Sequence, residues 1–471
     1  MQMERRSFFK TVVFACPGFA ATRAAVASSG RRAPAATRRP NLVVIVSDDQ
    51  GWGDVGYHDP EIRSPNLDRL ARQGVELDCH YVQPECTPTR VALTTGRYPS
   101  RFGSHCTQAS NDRAYPRGTL TMASMLKSLG YETAIVGKWH MGSKPEWGPN
   151  HYGFQYSYGS LAGAVGMYDH RYRLNSPYVT TWHRNLEFIE EEGHSTDLIA
   201  REAVAWIERK RHKPFFLYVP FHAVHTPLVE RDAKWHEMNA HIENKDRRLF
   251  AAALSHMDWA VGEIVQALER TEQRDSTLII FTSDNGAFAE PYRGGNYPAP
   301  DPALDAGFSS NHPLHGRKAE VYEGGIRVPA FVNWPGALQP RKIATPMHVV
   351  DWMPTLAALL GHEPPADPQW DGQNMWPILT GQRQSTDVRT FYWVRGESRE
   401  HVALRHGDWK ILKNQRNKPW ELYNLSNDPC ETHNLAESMP KKIEALKVLF
   451  EKERAKDAHV SRSPSSEQPG F

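Results

Sequence analysis

Four pairs of residues in this chain combine groups that bind cations with groups that move protons: Asp48 and Asp49, Lys138 and His140, His222 and His225, Asp284 and Asn285. Asp48, Asp49, Asp284 and Asn285 offer only oxygen. Such a donor set selects a hard cation, Ca2+ or Mg2+, over Zn2+. Histidine beside it would add proton transfer. A further group lies in Pro84-Glu85-Cys86-Thr87-Pro88-Thr89-Arg90. Thr87 can cap a helix, Pro88 suits its first position, and Gly96 can end it, so Cys86 is expected at the mouth of a short helix. That end presents free N–H groups and a positive dipole, which favour an anion, and Arg90 adds a fixed charge one turn on. The plainer reading of the same pattern is a buried structural cysteine beside a turn.

The elements in front of these residues decide whether they can meet. Leu42 to Val46 is a continuous apolar, β-branched run, as in a strand covered on both faces. Tyr131 to Val136, Pro214 to Val219 and Thr277 to Phe281 read as further strands. Between them come helices opened by Ser64-Pro65 and by Thr119, a helix over Thr196 to Lys210, and a long amphipathic one over Asp246 to Arg270. The alternation predicts an α/β domain with a mainly parallel sheet flanked by helices. Each chemical pair follows the carboxyl end of one of those strands, where open α/β sheets bind ligands. Asp and Asn are also common loop openers, so any one pair means little. Four together, with Cys86 in the same half of the chain, favour a shared site. His222 is set aside as satisfied locally at its strand end, and Asp54 is read as a cap.

Five blocks resemble the type I, formylglycine-dependent sulfatases. They are Ser47-Asp48-Asp49-Gln50-Gly51-Trp52-Gly53-Asp54-Val55-Gly56; Cys86-Thr87-Pro88-Thr89-Arg90 with Thr94-Thr95-Gly96-Arg97; Gly137-Lys138-Trp139-His140; Ser283-Asp284-Asn285-Gly286; and Glu323-Gly324-Gly325-Ile326-Arg327-Val328-Pro329. Trp52 to His58 and Tyr81-Val82-Gln83-Pro84 resemble the arylsulfatase B (N-acetylgalactosamine 4-sulfatase) branch. The resemblance implies an alkaline-phosphatase-like large domain with a small C-terminal antiparallel sheet and a helix. It implies that Cys86 is oxidised to formylglycine, whose hydrate is the nucleophile. It favours one Ca2+ ion held by Asp48, Asp49, Asp284, Asn285 and position 86; oxidation there would replace a soft sulfur by hard hydroxyl oxygens. It further implies that Lys138 and Lys318 bind the sulfate, Arg90 holds position 86, His140 takes a proton and His225 protonates the leaving oxygen. The expected substrate is a sulfated sugar or similar sulfate ester. A phosphodiester or phosphonate monoester hydrolase of the same superfamily is the enzymatic alternative, and an inactive glycan-binding homologue is the other if Cys86 stays unmodified. Glu323-Gly324-Gly325 is read as a turn at positive φ that leads into a strand.

Net charge is +2 at pH 7 and gives no footprint for nucleic acid. Residues 1–27, with Arg5-Arg6 and a short apolar run, resemble a twin-arginine export signal, and 28–39 read as a flexible linker. The apolar run is broken by Pro17, Gly18 and Arg23, so no stable membrane anchor is expected. The expected location is periplasmic or secreted, with a formylglycine-generating enzyme and the twin-arginine translocase as transient partners. Residues 40–370 read as the catalytic domain and 371–457 as the C-terminal part, with hairpin-like strands at Thr390 to Val394, His401 to Arg405, Trp409 to Lys413 and Trp420 to Leu425 and a helix over Pro440 to Lys456. Residues 458–471 read as a disordered tail. A Cys79–Cys106 bridge has only nearness in sequence behind it. The aromatic stretch Trp147 to Trp182 either forms a sugar-binding rim or packs its own loop, and the polar insert Tyr292 to Pro313 is placed at a pocket mouth.

Overall fold

The structure is a computed structural model that describes residues 39–172, 179–293, 303–364, 369–396, 399 and 401–458. The readings for residues 1–27, the linker to residue 38 and Tyr178 fall outside the described residues, as does the tail beyond 458. Among the described residues no helix is long and apolar enough to cross a membrane.

The strand Asn41–Ser47 lies at the centre of a ten-stranded sheet. It pairs in parallel with Thr277–Ser283 on one side and Phe215–Pro220 on the other, in the registers Ser47↔Ser283 and Val46↔Pro220. Glu132–Val136 and Tyr156–Ser160 extend the parallel core. Antiparallel strands, Ala330–Asn333 on one flank and Trp182–Arg184 on the other, lead to the edges. Alternate side chains of the central strand face opposite layers. Val43 and Ile45 pack with Leu198 and Ile199 of the helix Ser195–Glu208 and with Phe250, Leu254 and Val261 of Lys245–Arg270. Leu42, Val44 and Val46 pack with Val91, Ala92 and Leu93 of the helix Cys86–Thr95 and Leu356 of Trp352–Leu359. Helices on both faces are why that strand reads as unbroken apolar sequence.

A second, four-stranded antiparallel sheet runs Thr390–Arg395, His401–His406, Trp409–Lys413, Glu421–Asn424, with Ile443, Leu446 and Phe450 of the helix Pro440–Arg454 buried beside it. Buried polar contacts join this C-terminal part to loops and short helices of the rest of the chain. Trp393 donates to the Val82 carbonyl at 2.8 Å. Lys410 lies between Glu323 at 2.9 Å and Glu431 at 2.8 Å, all three fully buried. Arg101 meets Asp371, Glu453 and Asp457 at 3.0, 3.0 and 2.7 Å.

Several local expectations are corrected. The helix at Cys86 begins two residues early, flanked by Glu85, so Pro88 falls two positions further in. Thr87 cannot cap because its hydroxyl is engaged with Ser110, donating to the carbonyl and accepting the N–H at 3.0 Å. Pro88 still costs nothing there, since the first-turn N–H groups have no partners within the helix. Thr121, not Thr119, caps the next helix, Met122–Ser128, through a reciprocal pair with Ser124. Glu323–Ile326 is a short helix and neither glycine has positive φ. Gly325 is required by close approach instead: a Cβ there would stand 2.1 Å from the Glu320 carbonyl. Asp54 caps no helix; it is buried, pairs with Arg247 and accepts the N–H groups of Gly51 and Ser310. Cys79 and Cys106 are not bridged, and Cys106 donates to the Ala114 carbonyl. Tyr152, Phe154, Tyr156 and Tyr158 are buried in the two cores, so most of that aromatic stretch is packing.

Candidate active site

Because the central strands are parallel, Ser47, Val136, Pro220 and Ser283 end at one edge of the sheet, and the pairs that follow them converge. The loops lock to one another through the backbone. Asp48 and Ala223–Val224 exchange two hydrogen bonds of 3.0 and 2.9 Å, and the Asp284 N–H reaches the Ser47 carbonyl at 3.1 Å. Asp49 and His140 hold positive φ, 63° and 55°. Such unfavourable backbone persists where the surroundings dictate it.

Asp48, Asp49 and Asp284 lie side by side, each matched to one fixed cation. Lys138 Nζ is 2.5 Å from Asp48 Oδ2, Lys318 Nζ is 2.7 Å from Asp49 Oδ1, and Arg90 Nη2 is 2.7 Å from Asp284 Oδ2. Arg90 also donates to the Lys138 carbonyl at 3.2 Å, so the Cys86 helix is tied to both ends of the cluster. Asn285 donates to Asp49 Oδ1 at 2.8 Å. Two buried oxygens, Asp48 Oδ1 and Asn285 Oδ1, have no hydrogen-bond partner among the described residues. The ligand atoms of Asp48, Cys86 and Asp284 lie within 4.8 Å of one another, as do those of Asp48, Asp49 and His225. Buried carboxylates at this spacing repel. Burial, then the charge of Asp284, pushes Asp48 up to about 8, while Lys318 and His225 hold Asp49 below the usual range despite its burial. A hard dication would relieve the repulsion and use both bare oxygens, so these residues fit one. With the dication bound and all three carboxylates ionised, they would balance Arg90, Lys138 and Lys318 and leave a surplus of about +2 for an anion.

Cys86 stands at the first position of its helix and is 2 % exposed. Burial pushes its thiol up to about 11, so as a cysteine it stays protonated and weakly nucleophilic. His225 donates from Nδ1 to the Thr226 carbonyl, which leaves Nε2 facing Asp49 Oδ2 at 3.6 Å. Burial lowers its pKa to about 4, opposed by Asp49. Burial, then the charge of Lys138, holds His140 well below its usual value. Arg90, Lys138, Asp48 and Asp284 form the floor, while Lys318 and His225 keep some exposure.

All ten expected site residues thus gather at one place. Others were not foreseen. His222 is fully buried, beside Lys138, Arg90 and His225, and neither ring nitrogen is hydrogen-bonded among the described residues; it is not satisfied locally. Gly163 backs the His140 ring. Glu85, at the helix entrance, is gripped by Arg395 of the small sheet at 2.8 Å. Asn311 and Ser310, from the polar insert, brace Ala287 and Asp54 behind the carboxylates. None of these carries a local sequence signal, since each acts across long stretches of chain.

The family described as Sulfatase matches residues 40–362. The chain belongs to the sulfatase family. A second family, described as N-sulphoglucosamine sulphohydrolase, C-terminal, matches residues 312–456. The sulfatase is 31% identical to human N-acetylgalactosamine-6-sulfatase over 93% of its own chain and 83% of that protein. It is 35% identical to mouse arylsulfatase J over 80% of its chain and 65% of that protein. Among solved structures it is similar to Ps i-CgsB in complex with k-i-k-neocarrahexaose, with TM-score 0.78, 32% identity, and coverage of 89% and 94% of the two chains. The enzyme is therefore a sulfuric ester hydrolase with an alkaline-phosphatase-like fold. The expected arylsulfatase B branch is met only roughly by these relatives.

Proposed function

We propose that this sulfatase hydrolyses the sulfate ester of a carbohydrate, using formylglycine formed from Cys86 and one Ca2+ ion. The observation that carries the reading is the placement of Cys86 at a helix N-terminus, its sulfur grouped with Asp48 and Asp284. The carbohydrate is supported by relatives named for N-acetylgalactosamine and by the neighbour solved with neocarrahexaose. Asp48, Asp49, Asp284, Asn285 and position 86 would hold the cation, which when bound draws negative charge from the sulfate oxygens. Position 86, once converted to the hydrated aldehyde, would supply one hydroxyl, acidified by the cation and ionised to solvent, to attack sulfur as the S–O bond to the alcohol breaks, and a second whose deprotonation would expel sulfate and restore the aldehyde.

The remaining steps belong to the chain's own side chains. Lys138 and Lys318 bring positive charge to the sulfate, and Arg90 holds the helix that carries position 86. His225, with its Nδ1–H committed to Thr226, takes up a second proton on Nε2, which the negative charge of Asp49 favours, and passes that proton to the leaving oxygen. His140 Nδ1 has no hydrogen-bond partner among the described residues, and the ring accepts the proton of the second hydroxyl. The proposal includes residues 40–370 as catalytic domain and 371–457 as its C-terminal partner. It also includes a twin-arginine signal at 1–27 that exports the folded, already modified enzyme to the periplasm or beyond.

The test is the mass of the peptide containing Cys86 from the native host: conversion of thiol to the aldehyde nucleophile lowers it by about 18 Da. Unmodified cysteine in protein that still releases sulfate would refute the mechanism. Cys86→Ala should abolish turnover with the fold intact. Parallel assays on aryl sulfates and aryl phosphates separate a sulfatase from a phosphate or phosphonate ester hydrolase.

A further inference from the structure

Away from the carboxylate cluster, a second set of ionisable side chains lies between the helices Ser195–Glu208 and Lys245–Arg270. His256, on the long helix, meets Glu230 from Nδ1 at 3.1 Å and Asp197 from Nε2 at 3.0 Å. A carboxylate on each ring nitrogen calls for an N–H on both, hence an imidazolium. Against burial, those two bonds push the His256 pKa up to about 9. Glu230 also lies 3.3 Å from His194 Nε2. His194 Nδ1 accepts the Thr196 N–H at 3.2 Å, so the proton of that ring is on Nε2. Two histidines and two carboxylates could by type form a metal cage, but here neither imidazole has a free lone pair to offer. The cluster is an ion-pair network with His256 as its cation, and the His256 and Glu230 side chains are 3% and 2% exposed.

Glu230 follows His225 by five residues, through a segment with neither helix nor strand. The upstream end is fixed by the paired backbones of Asp48 and Ala223–Val224, and by the His225 N–H on the His222 carbonyl at 2.9 Å. The downstream end is held by Glu230, whose side chain meets His256 and His194 and whose carbonyl meets His236 Nε2 at 3.0 Å. The loop with His225 is thus strung between the active-site edge of the sheet and the long helix.

We propose that His256 is a positioning residue for sulfate ester hydrolysis: through Glu230 it fixes the segment that aims His225 Nε2 at the leaving oxygen. The inference rests on the acid role given to His225 above. An acid that protonates the leaving oxygen matters most when that oxygen leaves poorly. A misplaced acid therefore slows poor leaving groups selectively, whereas general loss of structure slows all substrates alike.

The experiment measures kcat/KM on full-length, modified enzyme with substituted phenyl sulfates, from 4-nitrophenyl to 4-methylphenyl, for wild type, His225→Ala, His256→Gln and Glu230→Gln. His256→Gln leaves the buried Glu230 carboxylate without its cation, while Asp197 stays exposed to water, so Glu230→Gln weakens the same link from the other side with less cost to folding. Both are expected to lose about tenfold on 4-methylphenyl sulfate and less than about twofold on 4-nitrophenyl sulfate, a fraction of the roughly 10²–10⁴-fold a positioned acid supplies. His225→Ala should show the same tilt, only steeper. A steepened His225→Ala series with unchanged slopes in both clamp variants would overturn the positioning role alone. An unchanged slope in His225→Ala would remove the acid role and the positioning role with it. A zinc equivalent that co-purifies with the enzyme and is lost in His256→Gln would also overturn the ion-pair reading.

Discussion

Gly163→Ala should cripple the enzyme while barely unfolding it. A Cβ at position 163 would stand 2.1 Å from His140 Nε2, 2.3 Å from Cε1 and 2.6 Å from Cδ2. Ordinary contact begins near 3.4 Å, so one partner must retreat by about 1.3 Å. Gly163 is poorly placed to retreat. Its N–H donates to Asn111 Oδ1 at 3.0 Å, and its neighbours Ala162 and Ala164 are buried. The His140 backbone is equally fixed, at φ 55° with its N–H on the Leu161 carbonyl at 3.1 Å, so the ring itself must swing. A displacement of about 1 Å at a proton-transferring group costs on the order of 10²-fold in rate. Overpacking in a buried site costs about 1–3 kcal/mol. The assay is kcat and KM on 4-nitrophenyl sulfate, with thermal unfolding run on the same preparations. The expected result is a kcat about 10²-fold down with KM changed far less. Gly166→Ala is the control: its Cβ would meet Asp169 Oδ1 at 2.2 Å, but that side chain is exposed and can turn away. Gly163→Ala with kcat within about twofold of wild type, in folded protein, would show that the His140 ring position does not limit the reaction.

Three further outcomes are expected. Lys410→Met strands Glu323 and Glu431 in the interior and should lower stability by about 3–5 kcal/mol, read as a fall in the urea midpoint; an unchanged midpoint would show that this triad contributes nothing net. Wild type should be more stable than His256→Gln by about 3 kcal/mol below pH 6.5, with the difference fading as pH rises through about 9, because the folded state raises the His256 pKa from 6.5 to about 9 against Glu230 and Asp197 and so binds that proton more tightly than the unfolded chain; a difference that grows with pH would refute the imidazolium. Ca2+ at about a hundred times its Kd should stabilise the enzyme by about 2.7 kcal/mol in thermal unfolding, and Asp284→Asn should largely remove that gain; equal shifts in both proteins would take Asp284 out of the cation site.

The α/β class and its central strands were legible because apolar runs, caps and turn residues are local signals. Leu42 to Val46, buried on both faces, needs no partner to be named a strand. The short helix at Cys86 was also legible, since Gly96 ends it at φ 70° as expected. Its first residue was not, because Thr87 chose Ser110 over the helix N–H groups, a choice made by chain more than twenty residues away.

The gathering of Asp48, Asp49, Lys138, His225 and Asp284 followed from sequence alone, once each was seen to follow a strand of a parallel sheet; Cys86 follows no strand of that sheet, and the sequence placed it only at a helix mouth in the same half of the chain. Parallel pairing sends those strand ends to one edge, and the order of residues along the chain carries that rule. What the sequence could not decide is how each charge is matched: Lys138 to Asp48, Lys318 to Asp49, Arg90 to Asp284. Nor could it show that His222 is buried unbonded, that Gly163 leaves room for His140, that Arg395 of the small sheet holds the residue before Cys86, or that His256 ties down the segment after His225. Composition and spacing determine which elements form and which ends they share, because those depend on neighbours in the chain. Pairing, burial and the room around a ring depend on neighbours in space, and only the packed tertiary structure chooses them.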